Sequence, residues 1–259
     1  DRDVTGVQTC ALPIFLSHCC FRKDMRQQLR KLLPHGFKLQ WKLLRRYINE
    51  SKTQYSYPKY YSSENIGEYK TELRQIIRKG EFYENKLHNL KIVGEKINHL
   101  IIHPNEVFSF WKLIGKPDEK NNFKEGRNLI KNHISSDFGG GICQFSSILY
   151  FLALQSGLKI IERFPHSVDI YKDHERFTPL GSDCTVVYGY KDLQFQNTFS
   201  FPVQLQYFVN DEELYVCFLS PKEIVLNTIN FSYSETDNGV WVETLQNGKV
   251  LLKNFYIRL

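Results

Sequence analysis

The sequence predicts an α+β protein in which helices come first and an antiparallel sheet follows. Apolar residues recur at helical spacing up to Gly157, and from Leu158 onward they alternate as in strands. Asn247-Gly248, between two alternating segments, is a strong signal for a type I′ hairpin turn. Because the helical part precedes the strand-rich part, the pattern is typical of the α+β class with an antiparallel sheet.

The composition excludes two classes of protein. With 42% hydrophobic and 14% aromatic residues, the 259-residue chain can bury a core, so general disorder is excluded. No run approaches the roughly 18 to 20 consecutive apolar residues of a membrane-spanning helix. No segment of the sequence is therefore predicted to cross a bilayer as a helix.

The first residues are expected to be no part of the folded protein. Val4–Ile14 reads as the translation of a common sequencing-library adapter, so residues 1–24 are interpreted as an artefact or untranslated leader. Met25, the one methionine of the sequence, is the expected start. A signal peptide is the alternative, but the apolar run of Ala11–Cys20 is short and contains Pro13.

Residues 25–60 form a basic segment with nine Lys and Arg residues against one Glu. Within residues 29–48, aromatic and aliphatic residues are interleaved with basic ones, and Pro34-His35-Gly36 interrupts them. The pattern predicts a helical turn, a break and one amphipathic helix. Such a helix could lie on an anionic membrane surface, or pack on the domain with a solvated basic face. Nucleic acid is not expected as a partner, because no recognition motif accompanies the basic run.

Residues 61–259 are predicted to be the α+β domain, after a polar, tyrosine-rich linker or edge segment at residues 51–63. Helices are expected at Asn85–Ile101 and at Gln144–Ser156, a buried helix that follows a glycine-rich turn and is capped by Gly157. Val107–Trp111 is expected to be a short strand or extended segment, and Lys116–Gly126 is expected to be a polar loop. Strands are expected at Leu158–Phe164, Cys184–Tyr190, Val203–Val209 and Leu214–Leu219. A C-terminal hairpin over residues 240–257 is expected from Val240–Leu245 and Val250–Ile257.

Cys143 is the residue whose sequence context most directly indicates a catalytic role. It follows Gly139-Gly140-Gly141 and lies in the first turn of a predicted helix, where unpaired N–H groups and the helix dipole favour a thiolate. The glycines let a substrate carbonyl approach the backbone. His166 could then act as a base and Asp183 could orient its imidazole, as in papain-like and transglutaminase-like folds.

Other interpretations of these residues stay open. The glycines can serve only to pack the helix closely on a sheet, and Cys143 can be an inert buried residue. His166 and Asp183 can both be turn residues. Without residues 1–24 the chain has three cysteines and no C-x-x-C pair, which disfavours a disulfide framework and a zinc cluster. No cofactor is predicted.

Five motifs follow one another within residues 87–219. They read His103-Pro-Asn-Glu-Val-Phe-Ser-Phe-Trp111, Gly139-Gly-Gly-Ile-Cys-Gln144, Glu162-Arg-Phe-Pro-His-Ser167, Gly181-Ser-Asp-Cys-Thr-Val186 and Lys191-Asp-Leu-Gln-Phe-Gln-Asn197. In this order they resemble the VanW family, which is associated with B-type vancomycin resistance clusters. The fourth motif usually has Ala where this sequence has Cys184, and Asp183 is intact. Further family-motif positions are held by Gln144, Arg163, Lys191, Asp192 and Asn197.

The resemblance implies a bacterial source and a link to the cell envelope or the glycopeptide response, and it does not by itself imply an enzyme. One hypothesis is a thiol-dependent hydrolase or acyltransferase that acts on peptidoglycan peptides or precursors. Its nucleophile is Cys143, its base is His166 and its orienting group is Asp183. Gly139-Gly140-Gly141, Gln144 and Arg163 are the candidate substrate-binding residues.

The second hypothesis is a non-catalytic envelope accessory protein. It would bind a peptide or precursor in the glycine-rich pocket and dock on the inner membrane leaflet through residues 29–48. The expected location is cytoplasmic or peripheral to the inner leaflet, since lone cysteines fit a reducing compartment. A metal site made of Cys143, His166 and Asp183 is a third possibility that requires the three side chains to converge on one point.

Overall fold

The computed structural model describes residues 34–130, 133–169, 176 and 178–258. The expected artefact at residues 1–24 and the start of the basic segment, residues 25–33, lie outside these residues. The chain divides into two compact units, Asp1–Arg45 and Arg46–Leu259. In the described part of the chain, no helix is long and apolar enough to span a membrane.

The α+β class is confirmed. Helices of the described residues are α1 His35–Thr53, α2 Tyr83–Ile97, α3 Phe110–Ile114 and α4 Ile142–Gln155, with one 3₁₀ turn at Glu119–Asn121. The strands are β1 Tyr60–Tyr61, β2 Tyr69–Ile76, β3 Leu100–Ile102, β4 Val107–Ser109, β5 Glu125–Ile130, β6 His133–Phe138, β7 Lys159–Glu162, β8 Val168–Asp169, β9 Gln194–Gln196, β10 Val203–Val209, β11 Glu213–Ser220, β12 Ile229–Thr236, β13 Gly239–Gln246 and β14 Lys249–Arg258.

These strands form four sheets in which neighbours are mostly antiparallel, as predicted. The largest has the order β1-β3-β10-β11-β2, and the C-terminal sheet has the order β12-β13-β14-β8. A three-stranded sheet, β4-β9-β7, and the β5-β6 hairpin complete the domain. The pairing of β14 with β8 is parallel and brings the end of the chain beside the segment that follows β7.

Both predicted hairpins are present. Strands β10 and β11 pair with Val209 opposite Leu214. Strands β13 and β14 are joined by Asn247 and Gly248, whose φ angles are 50° and 80°. A type I′ turn requires positive φ at both central residues, and Asn-Gly is the sequence that adopts it most readily.

Helix α4 lies at the centre of the hydrophobic core. Eleven of its fourteen residues are buried, because it is apolar on nearly all sides, and it contacts α2, β2, β7 and β11. Helix α2 buries one face, which includes Leu90, Val93 and Ile97, and contacts β10. The core therefore holds the start of α4, and with it Cys143, against the sheets.

Several predicted boundaries are wrong. The helix predicted at Asn85–Ile101 ends at Ile97, and His99 has a φ of 61°, so Leu100 and Ile101 belong to β3. Apolar residues on the strand happened to continue the helical spacing. The predicted loop at Lys116–Gly126 contains the start of β5, and the short strand or extended segment predicted at Val107–Trp111 ends at Ser109, where α3 begins.

The strand predicted at Cys184–Tyr190 is not formed. Only Val187 and Lys191 make an isolated bridge in this segment. The backbone of Cys184 is instead hydrogen-bonded to side chains of α4, which removes its ladder partners. Strands β2, β5, β6, β8, β9 and β12, the helix α3 and the extension of α1 to Thr53 were not predicted.

The glycine before α4 that faces the β5-β6 hairpin should tolerate no side chain. A Cβ on Gly140 would lie 2.2 Å from the carbonyl carbon of Gly126, whereas a Cβ on Gly80 would meet nothing within 4 Å. We expect Gly140→Ala to lower the free energy of unfolding by about 1–3 kcal/mol or more. Gly80→Ala should change it by less than about 0.5 kcal/mol. Equal unfolding midpoints in urea for the two variants would contradict this packing.

Candidate functional site

Cys143 is the second residue of α4, and the glycines before it shape the approach to the helix. Gly139 and Gly141 have φ angles of 79° and 89°, which residues with a side chain rarely adopt. The chain therefore turns sharply into the helix and leaves the Cys143 side chain partly exposed at the N-terminal end. This is the position at which the helix dipole favours a thiolate.

Two serines of α4 hydrogen-bond the segment after Asp183 to the start of the helix. The Ser147 hydroxyl donates to the carbonyl of Cys143 at 2.7 Å and accepts from the N–H of Cys184 at 2.9 Å. The Ser146 hydroxyl donates to the carbonyl of Cys184 at 2.6 Å. As a result, the Cys143 sulfur lies 3.7 Å from Oγ1 of Thr185.

His166 lies between the thiol and a carboxylate. Its ring Nδ1 is 2.7 Å from Oδ2 of Asp183, and its backbone N–H donates to the same oxygen at 2.7 Å. The imidazole also lies close enough to the Cys143 thiol for each group to shift the pKa of the other. Because Nδ1 is held by Asp183, Nε2 is the ring nitrogen left for the sulfur. The three side chains thus form a relay, carboxylate to imidazole to thiol.

The second oxygen of Asp183 is held by groups from elsewhere in the chain. Its Oδ1 accepts from Nη2 of Arg163 at 3.1 Å and from the Tyr256 hydroxyl at 2.6 Å. Arg163 also donates to the backbone carbonyls of Asp183 and Gly181, at 2.8 Å and 2.9 Å, and to the side chain of Asn254. Asp183 therefore accepts four hydrogen bonds, which fix the carboxylate that orients His166.

The electrostatics of the relay favour an ion pair. Burial disfavours the charged forms, but hydrogen bonds and charge attraction outweigh it at all three groups. The pKa of the Cys143 thiol is lowered by the imidazolium of His166. The pKa of His166 is raised by Asp183 and Cys143, and that of Asp183 is held well below its usual range by His166 and Arg163. A thiolate beside an imidazolium is a nucleophile together with a proton donor.

The comparisons with known proteins agree with the motifs. Residues 85–219, just over half of the chain, match the family described as VanW like protein. The chain belongs to the VanW family. It is similar to the vancomycin B-type resistance protein VanW of Enterococcus faecalis (strain ATCC 700802 / V583), with 32% identity over 133 residues that cover 51% of this chain and 48% of that protein. It is also similar to the uncharacterized protein YoaR of Bacillus subtilis (strain 168), with 29% identity over 145 residues that cover 56% and 44%.

The chain spans about half the length of these curated relatives. No solved structure matches it. The likeness to papain-like and transglutaminase-like folds that the sequence suggested therefore stays a prediction.

The structure brings together four of the predicted site residues: Asp183 contacts His166 and Arg163, and His166 interacts electrostatically with Cys143. Contacts of the Arg163 guanidinium are with the protein itself, and its side chain is 3% exposed. The relay runs in a line instead of converging on one point. Among the residues that the structure describes, no group of three or more His, Cys, Asp and Glu side chains could hold a metal ion.

Gln144 and the glycines lie close to Cys143 but face the protein. The Nε2 of Gln144 donates to the carbonyl of Ile76 at 3.0 Å, and its Oε1 is buried with no hydrogen-bond partner in the described structure. Gly140 packs on Gly126, and a Cβ on Gly141 would lie 2.5 Å from the Lys86 side chain. Close packing of the backbone therefore explains why these positions are glycines.

Other VanW-motif residues build a separate polar network. The Asp192 side chain is 1% exposed and accepts from the Ser109 hydroxyl at 2.7 Å and the Trp111 N–H at 3.1 Å. Burial raises the pKa of its carboxyl. Asn197 donates to the carbonyl of Ile102 at 2.8 Å. These contacts hold the β4-β9 pair in place, so this network is structural.

Three residues of the site were not predicted: Thr185, Asn254 and Tyr256. Thr185 lies within the fourth motif, but an uncharged threonine does not by its residue type indicate a site. Asn254 and Tyr256 lie on β14, beyond the residues that match the family. Nothing local to β14 in the sequence indicates that its side chains reach Asp183.

The reactivity of Cys143 should depend on pH in a specific direction. Its thiolate is lost only as the pH falls through the lowered pKa, so alkylation should stay fast well below the roughly 8.5 of a free thiol. Asp183→Asn removes the charge that stabilises the imidazolium of His166, so the pKa of the Cys143 thiol should rise. Alkylation near pH 6 should then slow about tenfold for each unit of that rise. Peptide mass spectrometry measures the extent of alkylation at each cysteine separately.

Cys184 and Cys217 provide internal controls for this measurement, because both are buried and burial raises their pKa values. They should react slowly in every variant. An alkylation rate at Cys143 that titrates like a free thiol and is indifferent to Asp183→Asn would contradict the relay.

The hydroxyl of Tyr256 should support the site from the C-terminal sheet. Tyr256→Phe removes one of the four donors to Asp183, so it should slow alkylation of Cys143 near pH 6 by about two- to tenfold and destabilise the fold by about 1–3 kcal/mol. Tyr233→Phe, on β12, is the matched control, since the exposed Tyr233 hydroxyl donates to the carbonyl of Leu180. A loss of stability with an unchanged pH profile of alkylation would assign Tyr256 to packing alone.

Proposed function

We propose that this protein is a thiol-dependent hydrolase or acyltransferase that acts on amide bonds of cell-wall peptides or their precursors. The observation that carries the proposal is the relay Asp183, His166 and Cys143, with the thiol at the N-terminal end of α4. A buried structural thiol needs no imidazole whose second nitrogen is fixed by a carboxylate. The lowered pKa of Cys143 supports the same role.

The chemistry would proceed in two steps. The Cys143 thiolate attacks the amide carbonyl carbon, and the tetrahedral intermediate collapses to a thioester as its C–N bond breaks. His166 gives its proton to the departing amine. The neutral imidazole then takes a proton from water or from an acceptor amine, which attacks the thioester and releases the thiolate. Partial positive charge at the start of α4 favours the oxyanion of each intermediate.

The substrate class rests on the family. The printed name of the Enterococcus relative connects that protein with vancomycin B-type resistance. A role at the cell envelope is therefore proposed for this chain, and peptidoglycan peptides are the amide-bearing molecules to test first. Arg163, Tyr256 and Asn254 are assigned as positioning residues, because their contacts are with Asp183 and its neighbours.

The non-catalytic alternative also has an observation in its favour. Gly140 is explained by its packing on Gly126, and Gln144 is directed to Ile76, so neither needs a substrate. In that case the region around Cys143 would bind a peptide or precursor without breaking a bond. Covalent trapping distinguishes the two functions.

Incubation with synthetic peptidoglycan stem peptides should add the mass of an acyl group to the intact protein. Cys143→Ala should abolish the adduct, and His166→Ala should slow turnover by about 10²- to 10⁴-fold. Cys217→Ala is the matched control and should leave both unchanged, since Cys217 is buried in β11. Peptide binding that is saturable, forms no adduct and survives Cys143→Ala would support the non-catalytic function and overturn the enzymatic one.

A further inference from the structure

Helix α1 carries an apolar stripe on one of its faces. Its residues are spaced four, three and four apart and so lie above one another on the helix. All four are exposed, which is unusual for large apolar side chains placed together. They are Phe37 (57% exposed), Trp41 (54%), Leu44 (49%) and Ile48 (43%).

The opposite face of the same helix is held by ion pairs. Arg46 donates to both carboxylate oxygens of Glu162, at 2.8 Å and 2.7 Å, and lies 3.6 Å from Asp192. Glu50 pairs with Lys112 at 2.8 Å. At 100° per residue, Arg46 and Glu50 lie on the side of the helix opposite Ile48, so the ion pairs and the apolar stripe use opposite faces of α1.

The flanks of the stripe indicate what covers it. Lys38 and Arg45 each follow a stripe residue and line one side, and Gln40 and Tyr47 each precede one and line the other. Neither flank carries an acidic residue. This combination of an aromatic and aliphatic stripe with a basic edge is typical of helices that lie in the interface of an anionic membrane.

A second copy of the chain fits the stripe less well. The spacing resembles the core positions of a coiled coil, but it runs over less than two heptads, and about three are needed. The flanking positions would bring Lys38 and Arg45 of one helix against basic or neutral residues of the other, with no acid to compensate them. Negative lipid headgroups supply the missing charge.

We propose that helix α1 is a membrane-docking surface, with Phe37, Trp41, Leu44 and Ile48 inserted among the headgroups of an anionic bilayer. Lys38 and Arg45 contact the phosphates. The surface is independent of the relay at Cys143.

Cosedimentation of the full chain with vesicles tests the proposal. Binding should be strong to equimolar phosphatidylglycerol and phosphatidylcholine, weak to phosphatidylcholine alone, and reduced by salt. Lys38→Gln with Arg45→Gln should weaken it roughly fivefold for each charge removed. Trp41→Ala with Leu44→Ala should weaken it by at least tenfold.

Matched controls exist elsewhere on the surface. Phe208→Ala removes a side chain that is 57% exposed on β10, and Lys222→Gln with Lys249→Gln removes two exposed charges. Both should bind like the parent chain. If the stripe variants bind vesicles as well as these controls do, the proposal is wrong. If the parent chain binds no vesicles and instead forms a dimer that Trp41→Ala disrupts, the stripe belongs to a second copy.

Discussion

The carboxylate of Asp183 accepts hydrogen bonds from four donors, which belong to three residues in two separate segments of the chain. His166 supplies two, Arg163 supplies one, and Tyr256 reaches it from the last strand. A buried carboxylate is tolerated only when its charge and its lone pairs are matched in this way. Loss of any donor therefore affects both the orientation of the imidazole and the attachment of the C-terminal sheet to the family domain.

Positive and negative groups alternate along this network, and this alternation lowers the pKa of the Cys143 thiol. The guanidinium of Arg163 faces Asp183, Asp183 faces His166, and His166 faces Cys143. Each group stabilises the charged form of the next, so the opposing effect of burial is overcome. Arg163 and Asp183, which would not contact a substrate, therefore influence the protonation state of Cys143, which would.

The sequence predicted the parts of the fold that have local causes. Asn247-Gly248 specifies its own turn, and the apolar run after the triple glycine specifies a buried helix. The end of α2 was mispredicted because Leu100 and Ile101 continue its spacing, although they lie on a strand. Cys143, His166 and Asp183 could be found from residue types in motifs, whereas Tyr256 could not, because 73 residues separate it from Asp183 and only the folded sheet brings it there.

The protonation state of His166 tests the account most directly. Nuclear magnetic resonance of the protein with ¹⁵N-labelled histidine side chains reports both ring nitrogens as the pH is raised. The account predicts that the His166 ring stays doubly protonated well above the roughly 6.5 of a free histidine, and that its pKa falls in Asp183→Asn and in Cys143→Ala. A ring that titrates near 6.5 in the parent chain and is unchanged in both variants would contradict the ion pair.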